Sequence, residues 1–292
     1  MNLTFRQLEV FCAIARQGNV SRAAEDAGLT QSAASMALGE LERQLGELLF
    51  DRMGRRIVLN GNGKRLLPIA TELLARAEEL EQEFSAEDRA LRGELVIGAS
   101  STIGNYLMPR LIAGFCAEHP EVKVRLKVAN TKQIIVDALN FELDIGFVEG
   151  SCNQPEIDVS IWREESLVVF ANPRDPLASR SPLRLRDLAK AQWILREKGS
   201  GTREIFEKAF LKKNSTLNIR VEFGQTEAIK QAVQSGMGIS CLSRLALREK
   251  LENKTLVELP TPELDLQRNL LQITHKNKYR TRCIDEFIKF VH

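Results

Sequence analysis

Along the first sixty residues the apolar positions recur at helical spacing; a long heptad-like stripe follows, and beyond Glu94 they gather into strand-length runs alternating with helical ones. Phe5, Leu8, Val10, Phe11 and Ile14 share one side of a first helix, which Gly18-Asn19 interrupts. Ser21 stands where the N-cap of a second helix belongs, and Gly28 gives the backbone freedom that a tight turn after it needs. Thr30 then caps a third helix, with Leu38, Leu41 and Leu45 toward the core and Gln31, Ser32 and Ser35 opening its outer face. Residues 49–59 read as two short strands around Gly54 with clustered arginines, the pattern of a wing.

From Leu66 the positions Leu66, Ala70, Leu73, Ala77, Leu80 and Phe84 alternate by four and three, while Arg76, Glu78, Glu79, Glu81 and Glu83 lie mostly off that line. A seam this narrow with charged flanks predicts pairing with an identical helix rather than packing on the chain's own C-terminal part. Arg89, Arg92 and Gly93 mark a hinge. Beyond it, strands over 95–99, 122–128 and 144–148 alternate with helices over 105–119 and 131–140, which argues for a parallel sheet covered by helices. A second set follows, with strands over 166–170, 193–195, 220–223 and 238–242 and helices over 185–190, after Gly201 and over 226–235. A strand at 270–274 and a helix at 281–291 close the chain, so the C-terminal part reads as two lobes with a cleft between them.

Gln31, Ser32 and Ser35 are the side chains a recognition helix needs at its N-terminus, because Gln bonds an adenine edge with two contacts and Ser serves either base pair. Thr30 and Arg22 are placed to hold phosphate, and Arg52, Arg55, Arg56 and Lys64 gather at the wing. The net charge of +2 does not by itself announce nucleic acid, and Glu40, Glu42, Glu47 and Asp51 dilute the local field, so non-specific affinity should be modest and salt-sensitive. At 292 residues and 43% hydrophobic content the chain can bury more than one core. No leader and no bilayer-length apolar run is visible, which predicts a cytoplasmic protein. Five scattered cysteines suit buried thiols rather than disulfides, and neither they nor His119, His275 and His292 have metal-ligand spacing, so no metal and no cofactor are expected.

Chemistry in the cleft follows from two strand-to-helix turns. Ser100, Ser101 and Thr102 follow the first strand directly, and Gly199, Ser200, Gly201, Thr202 and Arg203 follow the strand ending at Arg196. Two helix N-termini aimed into one cleft make an anion site; the glycines allow close backbone approach, and Ser200, Thr202 and either Arg196 or Arg203 add donors. Glu149, at the end of another strand, would repel a dianion unless it is protonated, turned away or paired with an arginine such as Arg196 or Arg203; alternatively it accepts a proton from a protonated ligand. Asn130 and the 224–227 turn are further lining candidates.

The ordered set Phe5-Arg6-Gln7-Leu8, Ser21-Arg22-Ala23-Ala24, Leu29-Thr30-Gln31-Ser32-Ala33-Ala34-Ser35, Leu45-Gly46 and Leu49-Phe50-Asp51-Arg52 resembles the DNA-binding domain of LysR-type transcriptional regulators. That resemblance covers essentially the whole length. It implies an α/β chain: an N-terminal winged helix-turn-helix (1–62), a linker or dimerisation helix and hinge (63–92), and a two-lobed periplasmic-binding-protein-like effector domain (93–292). Lobe 1 would take about 93–168 and 267–292, lobe 2 about 169–266, joined by crossing strands near 168–172 and 269–274. It also implies a homodimer through the linker helix, assembled into a homotetramer on promoter DNA, with RNA polymerase as a further partner and no membrane association. The segments 100–106, 146–150, 195–204 and 238–243 resemble most the YeiE-like branch, associated with sulfur assimilation and sulfite sensing, which makes sulfite or another sulfur oxyanion the expected effector. Three alternatives stand beside it. One is a regulator answering an organic acid, and another is a cysteine-based redox sensor, for which 199–203 has no cysteine and Cys152 and Cys241 lack an evident partner. An enzyme on the two-lobed domain is the weakest, since the hydroxyls have no histidine near them in sequence.

Overall fold

The computed structural model describes residues 3–53, 56–84, 90–180, 183–213 and 216–292, and of residues 52, 53 and 82–84 the backbone alone. Gly54, Arg55 and Arg89 therefore lie outside the described residues, as do the side chains of Arg52, Glu83 and Phe84.

Helix α1 (Phe5–Gln17) starts on a reciprocal cap in which the Thr4 hydroxyl accepts from the Gln7 amide and the Gln7 side chain accepts from the Thr4 amide at 2.8 Å. It ends at Gly18, whose φ of 58° only glycine adopts at no cost. Leu8, Val10, Phe11 and Ile14 are buried as their spacing predicts, but Phe5, in the first turn, is 56% exposed. The cap of α2 (Val20–Asp26) is Asn19 rather than Ser21: its carbonyl oxygen accepts from the amides of Ser21 and Arg22, and Ser21 becomes the second residue of the helix. Helix α3 (Gln31–Leu45) is capped by Thr30, which accepts from the Ala33 amide. Leu38 and Leu41 face the core; Leu45, at the fraying end before Gly46, does not. Strands β1 (Phe50–Met53) and β2 (Arg56–Leu59) form the antiparallel wing.

Helix α4 (Gly61–Phe84) runs for 24 residues, roughly 36 Å at the usual rise. The expected seam divides in two. Leu67 and Ala70 are buried in the N-terminal core, with Leu66 and Leu74 against it, while Leu73 and Leu80 stay exposed. One charged flank contacts the chain's own C-terminal domain, through Glu79 to Tyr279 and Arg282.

The C-terminal domain is built on a mixed sheet. In lobe 1, β3 (Gly93–Ser100) lies between β4 (Val122–Ala129) and β5 (Ile145–Glu149), all parallel. They are joined by α5 (Ser101–Tyr106), α6 (Met108–Glu118) and α7 (Thr131–Leu139). A single helix over 105–119 is the expectation; instead α5 ends at Tyr106 and α6 starts afresh at Met108, because Pro109 has no amide to continue the first helix. The 15-residue β6 (Ile157–Ala171) joins the lobes. Its first part pairs antiparallel with β11 (Gln267–His275) up to Ser166, and from Leu167 it pairs with β9 (Ser240–Ser243) and β10 (Val257–Leu259). The crossing thus falls a few residues before the expected 168–172. Lobe 2 adds the parallel pair β7 (Gln192–Arg196) and β8 (Asn218–Phe223), with α8 (Leu185–Lys190), α9 (Gly201–Leu211), α10 (Thr226–Gln234) and α11 (Arg244–Glu252). Helix α12 (Arg282–Val291) returns to lobe 1 and buries Phe287 against Phe115, Phe147 and Leu95. Lobe 2 has its own core around Trp193, Phe206 and Phe210.

Candidate functional site

Two surfaces carry the residues singled out from sequence. On the first, Arg22, Thr30, Gln31, Ser32, Ser35 and Arg56 are all exposed, and the α3 residues among them share the helix's open face. Thr30 is both cap and partner of Ser32, with the hydroxyls 3.1 Å apart. Met36, one residue beyond Ser35 and 75% exposed, also belongs to that face. Its i+4 spacing from Ser32 was the signal available for it.

The second surface is the contact between the lobes. Glu149 ends β5, is 1% exposed, and gathers what the sequence had distributed over three segments. Ser100 donates to one carboxylate oxygen, and Thr102 and Thr202 donate to the other at 3.3 Å each. Neither Ser100 nor Ser200 bonds its own helix as a cap: Ser100 turns to Glu149, and the buried Ser200 hydroxyl has no partner. The cation is one the sequence reading missed. Arg268, at the start of β11, lies 3.8 Å from the Glu149 carboxylate, donates to Thr202 at 3.0 Å, and pairs with buried Glu165, which Ser243 also serves. One of its terminal nitrogens is buried without an acceptor.

Neither arginine expected beside Glu149 is there. Arg196 pairs with adjacent Glu197 and reaches across to Ser101 at 3.0 Å. Arg203 is held by Glu207, Glu222 and the Arg196 carbonyl, all within lobe 2, because its position one turn into α9 aims it back over β7 and β8. All three of these partners of Arg203 thus lie on the lobe 2 side of the contact. Asn130 caps α7 through the Gln133 amide, and Gly199 (φ 96°) sits against it, its carbonyl accepting from the Lys132 amide at 3.1 Å. Gly201 presses on the Glu149 carbonyl so closely that a Cβ there would lie 1.9 Å from the oxygen. On the far side, Tyr106 donates to Glu227 and accepts from Lys230, a second bridge between lobes.

Two buried carboxylates therefore share one guanidinium, and three hydroxyls point at one of them. This ring of donors surrounds the side chain of Glu149, the chain's own carboxylate, in a buried site. Thiolate chemistry is disfavoured: burial pushes the Cys12 and Cys283 thiols up to about 11 and those of Cys152 and Cys241 up as well, and all five cysteines are free. Among the described residues no group of His, Cys, Asp or Glu could hold a metal ion, and no helix is long and apolar enough to cross a membrane.

Known proteins share this architecture. Two family models match, "Bacterial regulatory helix-turn-helix protein, lysR family" over residues 5–64 and "LysR substrate binding domain" over residues 88–292. The chain is 44% identical over 290 residues to the HTH-type transcriptional regulator YeiE of Escherichia coli, covering 99% of this chain and 97% of that one. The regulatory domain of CcmR from Synechocystis, solved in complex with 2-PG, is similar at 31% identity and a TM-score of 0.64, covering 68% of this chain and 96% of that one. Full-length OxyR from Pseudomonas aeruginosa shares the fold across 100% of this chain and 95% of its own, with a TM-score of 0.79 at 21% identity.

Proposed function

The chain belongs to the LysR family of DNA-binding transcriptional regulators, which are not enzymes, and from that membership we propose how it reads DNA and what it senses. It binds promoter DNA through Gln31, Ser32 and Ser35 in the major groove, with Arg22, Thr30 and the wing arginines Arg52, Arg55 and Arg56 on phosphate. Residues 1–62 act as the DNA-binding domain, 63–92 as linker and hinge, and 93–292 as the effector domain, in the cytoplasm and in contact with RNA polymerase. The exposed Leu73 and Leu80 support pairing of two α4 helices, the step toward a tetramer. Leu80→Glu should then lower the oligomeric state seen by sedimentation velocity while leaving the helical signal of the chain intact; an unchanged assembly would remove α4 from the interface.

The effector is a small oxyanion, sulfite before others. The observation that carries this is the convergence of Ser100, Thr102, Thr202 and Arg268 on one buried carboxylate. The ring is made of hydroxyls and a guanidinium, contains no aromatic side chain, and is closed by Gly201, all of which suit a compact anion. Entry requires Glu149 to turn away or to take a proton from the ligand, since a third negative charge beside one guanidinium is not otherwise compensated. Ser101, Asn130, Arg196, Gly199 and Ser200 form the surrounding wall. An organic acid is the second reading, favoured by the 2-PG bound to the CcmR domain.

Calorimetric titration of the full chain with sulfite, sulfate, thiosulfate and 2-PG decides between the two. Heat with sulfite is the expected result; silence with all three sulfur oxyanions alongside binding of 2-PG would replace the first reading by the second. Thr202→Ala removes a hydroxyl that bonds both Glu149 and Arg268, and should weaken the anion by about 1.5–3 kcal/mol, on the order of ten- to a hundredfold, with promoter binding retained. Loss of promoter binding as well would mean a fold defect.

A further inference from the structure

We propose that strand β11 carries the state of the cleft to the linker helix, and that Glu79 on α4 is where it is read. The proposal rests on the cleft being the effector site. Arg268, near the first end of this strand, holds the Glu149 cluster, and two residues on Leu270 pairs with Glu149 itself in the sheet. The strand therefore grips both the side chain and the backbone of the residue at the centre of the site. Seven residues beyond Arg268, roughly 23 Å along an extended strand, its other end at His275 meets the N-terminal part of the molecule.

Two contacts are made there. His275 lies tilted against Phe141 with ring centroids 4.1 Å apart, and Phe141 packs against the core of the DNA-binding domain. Phe141 holds φ at 58°, a left-handed conformation that a bulky side chain adopts only when its surroundings impose it. The loop after His275 is fastened to lobe 1 by the Lys278–Asp144 pair at 2.7 Å, and it presents Tyr279 to α4. There the Tyr279 hydroxyl donates to one oxygen of Glu79 at 2.7 Å, the Arg282 amide donates to the other at 3.1 Å, and Arg76 lies over the Tyr279 ring. Arg282 opens α12, so Glu79 satisfies an amide that the helix itself cannot, and places its negative charge at the positive end of the helix.

A carboxylate on a solvated helix flank needs no such fixation. Here both its oxygens are bonded to the segment that continues the strand bearing Arg268. Because a strand in the middle of a sheet moves as a unit, a shift of Arg268 when the cleft changes its occupant is delivered to Tyr279 and Arg282 rather than absorbed between them. Arg268 is in this sense a positioning residue for the linker, and Glu79 with Tyr279 is an interaction surface between effector domain and linker.

Hydrogen exchange on the full chain tests the relay without any ligand. Thr202→Val alters the cleft, and it should speed exchange in the segment 276–285 by about tenfold relative to the parent chain, as Glu79→Gln should at the contact itself, while Ser235→Ala on the exposed end of α10 should leave it unchanged. Exchange in 276–285 that responds to Glu79→Gln but not to Thr202→Val overturns the relay; exchange indifferent to both overturns the contact. A second readout separates the relay from the sensing of sulfite. In the double variant Glu79→Gln, Tyr279→Phe, sulfite heats should persist while the promoter footprint no longer changes with sulfite. Persisting heats with a normal footprint change would defeat the relay and leave the effector reading standing. Absent heats in the parent chain would defeat the effector reading, and the relay would then be judged by the exchange result.

Discussion

Arg268→Ala should destabilise the effector domain by about 3–5 kcal/mol, the magnitude expected when the cation of a buried charge cluster is removed and its partners are left behind. The side chain of Arg268 is 1% exposed, and so is that of Glu149; Glu165 is 6% exposed. With alanine in place, two carboxylates remain out of water with hydroxyl donors alone, and the Thr202 hydroxyl loses the donor that orients it toward Glu149. Arg268→Lys keeps the charge but not the fork that serves Glu165 and Thr202 together, so its loss should be smaller than that of alanine. The two tryptophans give a clean readout in urea, since Trp162 lies in the core of lobe 1 and Trp193 in that of lobe 2. A midpoint lowered for both is the expected result, because β6 and β11 belong to the frame that joins the lobes. A loss under about 1 kcal/mol would mean that Arg268 does not hold the cluster together, and the charge argument for how an anion enters would go with it.

The same cluster marks where the sequence stopped being informative. Helix ends were legible wherever a single residue type has one conformational use: Thr30 as a cap, Gly18 and Gly28 with positive φ. Asn19 and Ser21 are both good caps two residues apart, and spacing alone chose the wrong one. The strands β3 and β5 announced themselves as apolar runs and β4 as an alternation of apolar and charged residues, whereas the first half of β6, Ile157 to Glu165, ends in the charged run Arg163-Glu164-Glu165, of which Glu165 faces Arg268. In the cleft, the hydroxyl-bearing turns could be found because each follows a strand directly. Their cation could not: Arg268 and Glu165 are 103 residues apart, and nothing local distinguishes a buried pair from two surface charges on polar strand ends. Arg196 and Arg203 were preferred for being near Thr202 in sequence, yet each had a closer carboxylate within its own lobe.

The linker shows a related limit. Its heptad spacing was real as a pattern, but a pattern states which positions are apolar and not which surface covers them. Ala70 went to the chain's own DNA-binding core, Leu73 and Leu80 remained open, and the charged flank, which in the sequence argues against packing on the C-terminal part, supplied Glu79 to Tyr279 and α12. One helix thus touches two domains of its own chain and keeps a third, apolar face open, which is what a part that must transmit position between domains would do.

Closure of the lobes is the remaining assumption, and Gly201→Ala addresses it with little ambiguity. Gly201 is the first residue of α9 and has no positive φ, so alanine suits its backbone, and in a helix it is favoured over glycine by roughly 0.5–1 kcal/mol. The obstacle is wholly between lobes: the new Cβ would stand 1.9 Å from the Glu149 carbonyl oxygen and 2.5 Å from its carbon, both backbone atoms that cannot rotate aside. The lobes must then part by more than an ångström, which breaks the Thr202–Glu149 bond, the Arg196–Ser101 bridge and the Lys132 to Gly199 hydrogen bond together. Each lobe keeps its own core, so thermal stability should hold. Losing two or three bonds of about 1–1.5 kcal/mol each should weaken sulfite on the order of a hundredfold. The promoter footprint should then stay in its sulfite-free form at concentrations that switch the parent chain. Sulfite affinity equal to the parent's would show that the anion is held by one lobe alone, and the response would have to arise without closure across Glu149.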